Sequence, residues 1–237
     1  MKTRRTIAAC ILPLLFCVIL ISCASASTIF WGSKQNDTLV DSAGNSLDAS
    51  YQFELGYFNA SSGWAPTSLN ISEWESRWIV FDKASFGLGW DPTNREINTS
   101  VEHTSTSGST SSNANPASVF TQGATVYLWV YDTKSLLGNA EWALLCDSDK
   151  SANVFPGAWE FPNPIEQNGE SYDWQTRDLD TAILGGVNGI RGPGSYSFDP
   201  GVFTIQTHAV PEPGSALLML IAGMSLVRRR RAQSHLV

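Results

Sequence analysis

The chain has 237 residues, and residues 27–209, between two distinctive terminal segments, suffice for one domain of ordinary size. Those residues carry eight basic and 21 acidic side chains, a net charge of −13, against −7 for the whole chain. This acidity argues against nucleic acid as a partner, because Lys and Arg on phosphates supply most nonspecific affinity for it, and it is typical of a soluble extracellular domain.

The first 26 residues have the three parts of a secretory signal peptide. Basic residues at positions 2, 4 and 5 precede an uncharged apolar stretch, residues 7–21. Ala24 and Ala26 then supply the small side chains that signal peptidase accepts before its cut. The sequence therefore predicts export and cleavage after Ala26.

Two other interpretations of this segment stay open. Residues 20–23, Leu-Ile-Ser-Cys, resemble a lipobox, in which the cut precedes Cys23 and that cysteine is lipidated. The segment could also remain uncleaved as a membrane anchor. The first residue of the mature chain distinguishes these interpretations, because ordinary cleavage leaves Ser27 at the N-terminus.

Several runs in residues 27–209 have the alternation or the composition of β-strands. These runs are residues 28–31, 51–57, 125–131, 141–145 and 202–207. Clusters of Gly, Asn, Asp, Ser and Pro separate them, as turns require. We therefore predict a mainly β fold, an antiparallel β-sandwich or jelly-roll-like domain with one short helix, flanked by the signal peptide and a short C-terminal membrane helix.

Residues 71–82 are predicted to form that helix. Asn70 and Glu73 have the spacing of a capping box. Trp74, Trp78 and Phe81 follow at intervals of four and three, which places them on one helix face. We expect that face to pack on the sheet.

Residues 103–118 are different in kind, since they are mostly Ser, Thr, Asn and Gly. Such a stretch has almost nothing to bury. It is predicted to form a long surface loop.

The sequence shows no set of catalytic residues. The three histidines are His103, His208 and His235. None has a Cys or a carboxylate at metal-ligand spacing, and none has the context of a serine–histidine–aspartate triad. We therefore expect neither a catalytic residue nor a metal ligand among them, and we expect a noncatalytic domain.

Paired carboxylates are the one route to an enzyme that the sequence offers. Glu73 with Glu75, or Asp178 with Asp180, could serve a glycoside hydrolase, which needs two carboxyl groups about 5–9 Å apart. A domain with 21 acidic residues holds such pairs by chance. A carboxylate-dependent glycoside hydrolase is therefore the weaker alternative.

No cofactor is expected, although calcium stays open. Asp147-Ser148-Asp149, and Asp173 with Asp178 and Asp180, offer hard oxygen ligands for Ca²⁺. An EF-hand that begins at Asp147 would need Gly and Glu at positions 152 and 158, and both are Ala. Any calcium site would therefore be of another kind.

Cys146 is the only cysteine of residues 27–209, so the mature domain cannot form an internal disulfide. It follows the apolar run 143–145. We expect it to be a buried small apolar side chain rather than a reactive thiol.

Eight of the nine tryptophans divide into two sets. Four lie in predicted strands or on the predicted helix face and are expected in the core: Trp74, Trp78, Trp129 and Trp142. Four lie near Gly and Pro in predicted loops and are the candidate glycan contacts: Trp64, Trp90, Trp159 and Trp174. Aromatic rings can stack on the apolar C–H face of a sugar. A carbohydrate-binding module acting on extracellular polysaccharide is therefore the alternative function.

The C-terminus has three consecutive parts. Pro211, Glu212 and Pro213 precede fourteen uncharged residues, 214–227, and these precede Arg228, Arg229, Arg230 and Arg231. A helix of fourteen residues spans about 21 Å, which is short of the ~30 Å hydrocarbon core and suits a temporary membrane stop. The arginines are expected to stay in the cytoplasm.

This order of Pro-Glu-Pro, short apolar helix and arginine cluster closely resembles the PEP-CTERM sorting signal of exosortase substrates. The resemblance covers residues 210–237. It implies that a membrane-embedded exosortase recognises residues 211–213 and processes the chain nearby, in a Gram-negative bacterium that makes extracellular polysaccharide. An ordinary tail anchor with chance prolines is the plainer alternative.

The terminal segments together predict a route and a destination. After signal peptidase acts, we expect the extracellular domain, residues 27–209, to be held at the inner membrane through residues 214–227, with the C-terminus in the cytoplasm. Exosortase would then release it to the outer surface or the extracellular matrix, where polysaccharide is the expected neighbour.

Overall fold

The computed structural model describes residues 26–60, 63–104, 120, 122–136, 140–148, 158–162 and 171–210. Within these ranges the chain is mainly β. The strands are β1 (Ala26–Gly32), β2 (Leu39–Val40), β3 (Gln52–Phe58), β4 (Trp78–Phe86), β5 (Gly89–Asp91), β6 (Glu96–Thr104), β7 (Tyr127–Tyr131), β8 (Glu141–Cys146), β9 (Ser171–Gln175), β10 (Thr181–Leu184), β11 (Gly186–Val187), β12 (Ile190–Arg191), β13 (Ile205–Gln206) and β14 (His208–Ala209). The helical elements are helix α1 (Trp74–Arg77) and the 3₁₀ turns Ile71–Glu73 and Thr176–Asp178.

The strands form two sheets. The larger has the order β10-β8-β7-β3-β4-β5-β6-β1-β9, with β14 beside β8, and the smaller has the order β12-β11-β13-β2. Most pairings are antiparallel, but β1–β9, β4–β5 and β13–β2 are parallel. The sheets are therefore mixed rather than purely antiparallel as predicted. The β1–β9 pair is formed by a long crossover, since β9 follows β1 by about 140 residues of chain, whereas β5 follows β4 after two residues.

Most of the predicted strands are confirmed. The runs 28–31, 51–57, 125–131 and 141–145 correspond to β1, β3, β7 and β8. The run 202–207 contains only the two-residue strand β13, and β14 begins after it.

The helix predicted for residues 71–82 is wrong beyond Arg77. Residues 78–86 form β4 instead, which pairs with β3 through Trp78–Phe58 and Phe53–Ala84. The β-branched and aromatic run that begins at Trp78 favours a strand, and a neighbouring strand is available to pair with it. The predicted capping box is also wrong, because the Asn70 side chain makes no cap hydrogen bond.

The loop predicted for residues 103–118 is wrong at its first two residues. His103 and Thr104 belong to β6, where His103 pairs with Ser27 of β1. The side chain of His103 is buried among the rings of Phe81 and Phe161. Residues 105–118 lie outside the described residues.

Apolar side chains cover both faces of the central strands. On β7 and β8, Leu128 and Leu145 face the main core, whereas Trp129 and Trp142 face a second, aromatic core. The aromatic core also holds Trp74 and Trp78, so the four tryptophans predicted to be structural are buried, as expected. The Trp129 and Trp142 rings meet edge to face at 5.1 Å. The main core joins the larger sheet to the smaller one through residues such as Phe53, Val187 and Ile205.

Candidate functional site

An open groove lies over the outer face of β6, β1 and β9 at one end of the larger sheet. Its volume is about 740 Å³, within the ~300–1,000 Å³ typical of ligand sites. The lining residues come from these three strands, from the turn that follows β1 and from the 3₁₀ turn that follows β9. We call this feature the β1 groove.

Phe30 lies on the middle strand of the β1 groove, at one end of its lining. The burial of Ile29 and Trp31 turns the Phe30 ring outward, where 46% of the residue is exposed. Its cross-strand neighbours are Ser100 on β6 and Asp173 on β9, both exposed. An aromatic ring is thus displayed on the middle strand, between two polar side chains.

The next row of the β1 groove is a buried glycine flanked by two amides. Gly32 pairs with Asn98 on one side and with Gln175 on the other. Only glycine fits at position 32, since a Cβ there would lie 2.0 Å from the carbonyl oxygen of Ile97. The Gln175 amide donates to Asp173 Oδ1 at 2.5 Å, which fixes both side chains.

Two cations and two carboxylates supply the charges of the β1 groove. Lys34 and Arg177 are the cations, and Glu96 and Asp173 are the carboxylates. Arg177 Nη2 also lies 3.7 Å from Asp37 Oδ1, at the end of the groove. The four lining charges sum to zero, in a domain whose net charge is −13.

A buried polar contact supports the groove from behind. The Trp31 indole N–H donates to Asp82 Oδ2 at 2.7 Å, and the Thr99 hydroxyl donates to the same oxygen at 3.2 Å. Asp82 is only 5% exposed. A β-bulge next to Asp82 places both it and Phe81 towards the main core. The contact therefore ties β1, β4 and β6 together beneath Phe30.

Three of the four tryptophans predicted to contact glycans are buried, so that prediction is wrong for Trp90, Trp159 and Trp174. Trp90 and Trp174 lie on β5 and β9 and face the main core. Trp159 stacks on Trp174 with the ring centroids 5.5 Å apart. Nearby Gly and Pro suggested loops, but core packing takes all three rings away from solvent.

Trp64 is the one predicted glycan contact that keeps partial exposure. Its indole N–H donates to Glu73 Oε2 at 3.0 Å, and the Arg77 guanidinium lies 4.7 Å from the ring centroid. One face of the ring is therefore covered by Arg77. Trp64 lies near α1 and does not line the β1 groove.

Sequence reasoning missed Phe30, although a signal was present. Ile29, Phe30 and Trp31 are consecutive apolar residues in a strand, and successive side chains of a strand point to opposite faces. If only one face of the strand is buried, either Phe30 or the pair Ile29 and Trp31 must point away from the core. The alternation alone did not say which face was buried. In the structure, Ile29 and Trp31 are buried and Phe30 faces outward.

Three of the four carboxylates predicted for a hydrolase, Glu73, Asp178 and Asp180, are engaged in structural contacts. Glu73 forms an ion pair with Arg77 at 3.1 Å, while Glu75 is exposed on α1. Asp178 accepts from the Gln175 backbone N–H at 3.0 Å, and Asp180 accepts from the Ser148 backbone N–H at 2.9 Å.

The most enclosed carboxylate of the aromatic core is Glu54, on β3. It accepts from the Trp78 indole at 2.8 Å and from the Tyr131 hydroxyl at 2.5 Å. Lys134 Nζ lies 2.5 Å from Oε2, and Lys83 Nζ lies 3.7 Å from Oε1. Burial and the Glu54 charge raise the pKa of Tyr131 well above its usual value. These contacts supply both carboxylate oxygens of Glu54 with hydrogen-bond or ion-pair partners, so Glu54 has a structural role.

Two of the three histidines, His103 and His208, are buried. Burial lowers the pKa of His103 to about 4, and its Nδ1 has no hydrogen-bond partner in the described part of the chain. Burial also lowers the pKa of His208, whose Nδ1 accepts from the Ser195 backbone N–H. His235 lies outside the described residues.

No group of three or more His, Cys, Asp or Glu side chains that could hold a metal ion occurs within the described ranges. Of the calcium candidates, Ser148 donates its backbone N–H and its hydroxyl to Asp180, which brings the 147–148 segment to β10. Asp173 is engaged by Gln175 instead. Asp149 lies outside the described residues.

Cys146 is buried, as predicted. Burial, with Asp180 and Asp147 nearby, raises the pKa of its thiol to about 12. The thiolate that nucleophilic chemistry requires is therefore strongly disfavoured in the folded domain.

The residues of the two terminal signals lie almost wholly outside the described residues. Ala26 is the first residue of β1, whereas Ala24 and Cys23 precede it. At the other end, Val210 is the last described residue, and Pro211 follows it directly. Among the helices that the structure describes, none has the length and apolarity to cross a membrane.

Comparison with known proteins adds no relative. The chain matches no protein-family model, and neither the curated proteins nor the solved structures contain one that is significantly similar to it.

Proposed function

We propose that this chain is an exported, noncatalytic protein of the cell surface or extracellular matrix, sorted by an exosortase-type system of a Gram-negative bacterium. The observation that carries the proposal is the succession of Pro-Glu-Pro, fourteen uncharged residues and four arginines at positions 211–231. The signal peptide at residues 1–26 and the net charge of −13 for residues 27–209 support it.

The route follows from these segments. Signal peptidase cuts after Ala26, or before Cys23 where the lipid-modified alternative holds. The apolar helix 214–227 holds the domain at the inner membrane with the arginines in the cytoplasm, and exosortase acts near residues 211–213. The domain itself is proposed to be a β-sandwich of jelly-roll type, which the shared core of the two sheets supports.

Two deletions test the sorting proposal in the native host. Deletion of residues 211–231 should abolish surface delivery, whereas deletion of residues 232–237 alone should leave it unchanged. Fractionation and surface labelling measure the outcome. Unchanged surface delivery after the first deletion contradicts the proposal, and so does a mature chain that keeps residues 214–231 permanently in the inner membrane.

A carbohydrate-binding module is the second candidate function. The β1 groove favours it, because the groove combines an exposed aromatic ring with amide and carboxylate side chains. Isothermal titration with the host's own extracellular polysaccharide tests this candidate. Heat that saturates supports it, and the absence of heat contradicts it.

A further inference from the structure

We propose that the β1 groove binds an extended, uncharged oligosaccharide, with one sugar stacked on Phe30 and the next hydrogen-bonded by Asn98 and Gln175 over Gly32. This inference deepens the second candidate function and rests on it.

The aromatic element is Phe30. An isolated exposed apolar side chain is ordinary on protein surfaces, so exposure alone decides nothing. Phe30, however, lies in the middle of three paired strands and lines a concave surface. Its cross-strand neighbours, Ser100 and Asp173, are smaller and polar, so they leave the ring accessible. A pyranose presents an apolar C–H face of similar size to such a ring.

The hydrogen-bonding element lies one row along the strands. Asn98 and Gln175 flank the buried Gly32 and line the groove, so a ligand beside Phe30 would meet an amide on each side. Amide side chains both donate and accept, which matches the two roles of a sugar hydroxyl. The Asp173 carboxylate adds an acceptor-only group between the ring and the Gln175 amide.

The charge of the β1 groove favours a neutral ligand. Lys34 and Arg177 are balanced by Glu96 and Asp173, so the lining carries no net charge. A polyanion would gain little from this lining and would be repelled by a domain of net charge −13. Nucleic acids and acidic polysaccharides are therefore disfavoured as ligands, whereas an uncharged sugar is not repelled by the charge of the domain.

The groove is also rigid, which reduces the entropic cost of binding. Phe30 and Gly32 are held in the ladder on both sides, by β6 and by β9. Beneath them, the Trp31–Asp82–Thr99 contact fixes the strand positions.

Affinity electrophoresis of the full chain in detergent tests the proposal. The gels contain one of three neutral polysaccharides, hydroxyethyl cellulose, a β-1,3-glucan or xylan, or the polyanion alginate. We expect at least one neutral gel to retard the chain, and we expect Phe30→Ala and Asn98→Ala each to weaken that binding at least tenfold. The matched control is Phe86→Ala, at another exposed phenylalanine, 62% exposed on β4 and outside the groove, which should change nothing.

The outcomes separate the site from the function. Retardation that survives both Phe30→Ala and Asn98→Ala overturns the assignment to this groove and leaves carbohydrate binding intact. Retardation in alginate alone overturns the neutral ligand class. The absence of retardation in every gel overturns both the inference and the carbohydrate-binding candidate, while the sorting proposal stands. Unchanged thermal unfolding of the variants excludes misfolding, and either variant alone suffices if the other does not fold.

Discussion

The indole N–H of Trp31 donates to Asp82 Oδ2 across 2.7 Å, inside the sheet and directly behind the exposed ring of Phe30. Trp31 is 2% exposed and Asp82 is 5% exposed. A carboxylate so enclosed depends on its hydrogen-bond donors, because an unpaired buried polar group loses its hydration without compensation. The strand that displays Phe30 is thus held by a polar contact on its hidden side.

Asp82→Ala is therefore expected to destabilise the domain by roughly 2–4 kcal/mol, because it leaves the buried Trp31 donor and the half-buried Thr99 donor without their acceptor. Urea unfolding monitored by tryptophan fluorescence measures the loss. Asp82→Asn keeps an acceptor oxygen and should cost clearly less. Equal free energies of unfolding for both variants and the native chain would show that the contact contributes nothing to stability.

Glu54 is expected to be more sensitive to loss of charge than any exposed acidic residue. Glu54→Gln removes the partner of Lys134 and Lys83, whose side chains are 21% and 24% exposed and can partly regain water. We expect a loss of roughly 1–3 kcal/mol, below the full cost of an isolated buried charge. Glu75→Gln, on the exposed face of α1, should change the free energy of unfolding by less than about 0.5 kcal/mol. A Glu54→Gln chain as stable as Glu75→Gln would contradict the structural role.

His103 should make the domain less stable as the pH falls. Its pKa is lowered to about 4 by burial, whereas an unfolded chain binds the proton near pH 6.5. Between these values the unfolded state holds more protons, so stability declines from about pH 6.5 towards pH 4, by roughly 2–3 kcal/mol in all. His103→Phe should flatten this decline, since the site is lined by the rings of Phe81, Phe120 and Phe161.

Unfolding free energies at pH 7.0, 6.0 and 5.0 measure the effect of His103. The variant keeps whatever slope His208 contributes, because burial lowers the pKa of His208 as well. Identical slopes for the native chain and His103→Phe would show that His103 does not titrate on unfolding in this range.

Local pattern predicted a mainly β chain and its central strands, but not the pairing that builds the groove. The runs that became β3 and β7 are locally rich in aromatic residues, and the run that became β8 is almost continuously apolar, so each strand could be predicted from its own composition. β1 and β9 meet only after about 140 residues of chain, and no local signal specifies that contact. The groove, which depends on that contact, was therefore beyond sequence reasoning.

Local spacing also misassigned the secondary structure of several tryptophans. Spacing placed Trp74 and Trp78 on one helix face, and both are buried together, yet Trp78 lies on a strand. The residues share a core because β4 continues directly from α1, not because of helical periodicity. Trp90 and Trp174 were assigned to loops by nearby Gly, Pro and polar residues, although each occupies an inward position of a short strand. Short strands give too few residues for the alternation to be read.

The last strand sets a limit on where the C-terminal signal can be cut without damage to the fold. β14 pairs His208 and Ala209 with β8, and Val210 packs in the aromatic core while its backbone N–H donates to the Ala140 carbonyl at 2.7 Å. Pro211 follows immediately. Processing that removed every residue after Thr207 would therefore take a paired strand and a buried side chain from the domain.

Chains that end at different residues measure this limit. Chains ending at Pro213 and at Val210 should have equal free energies of unfolding, whereas a chain ending at Thr207 should lose roughly 3 kcal/mol, because it gives up the burial of Val210 and the β14 hydrogen bonds. The mature protein isolated from its host should accordingly end at or after Val210, as intact mass will show. If the chain ending at Thr207 is as stable as the others, β14 is dispensable, and the fold places no constraint on where the sorting enzyme cuts.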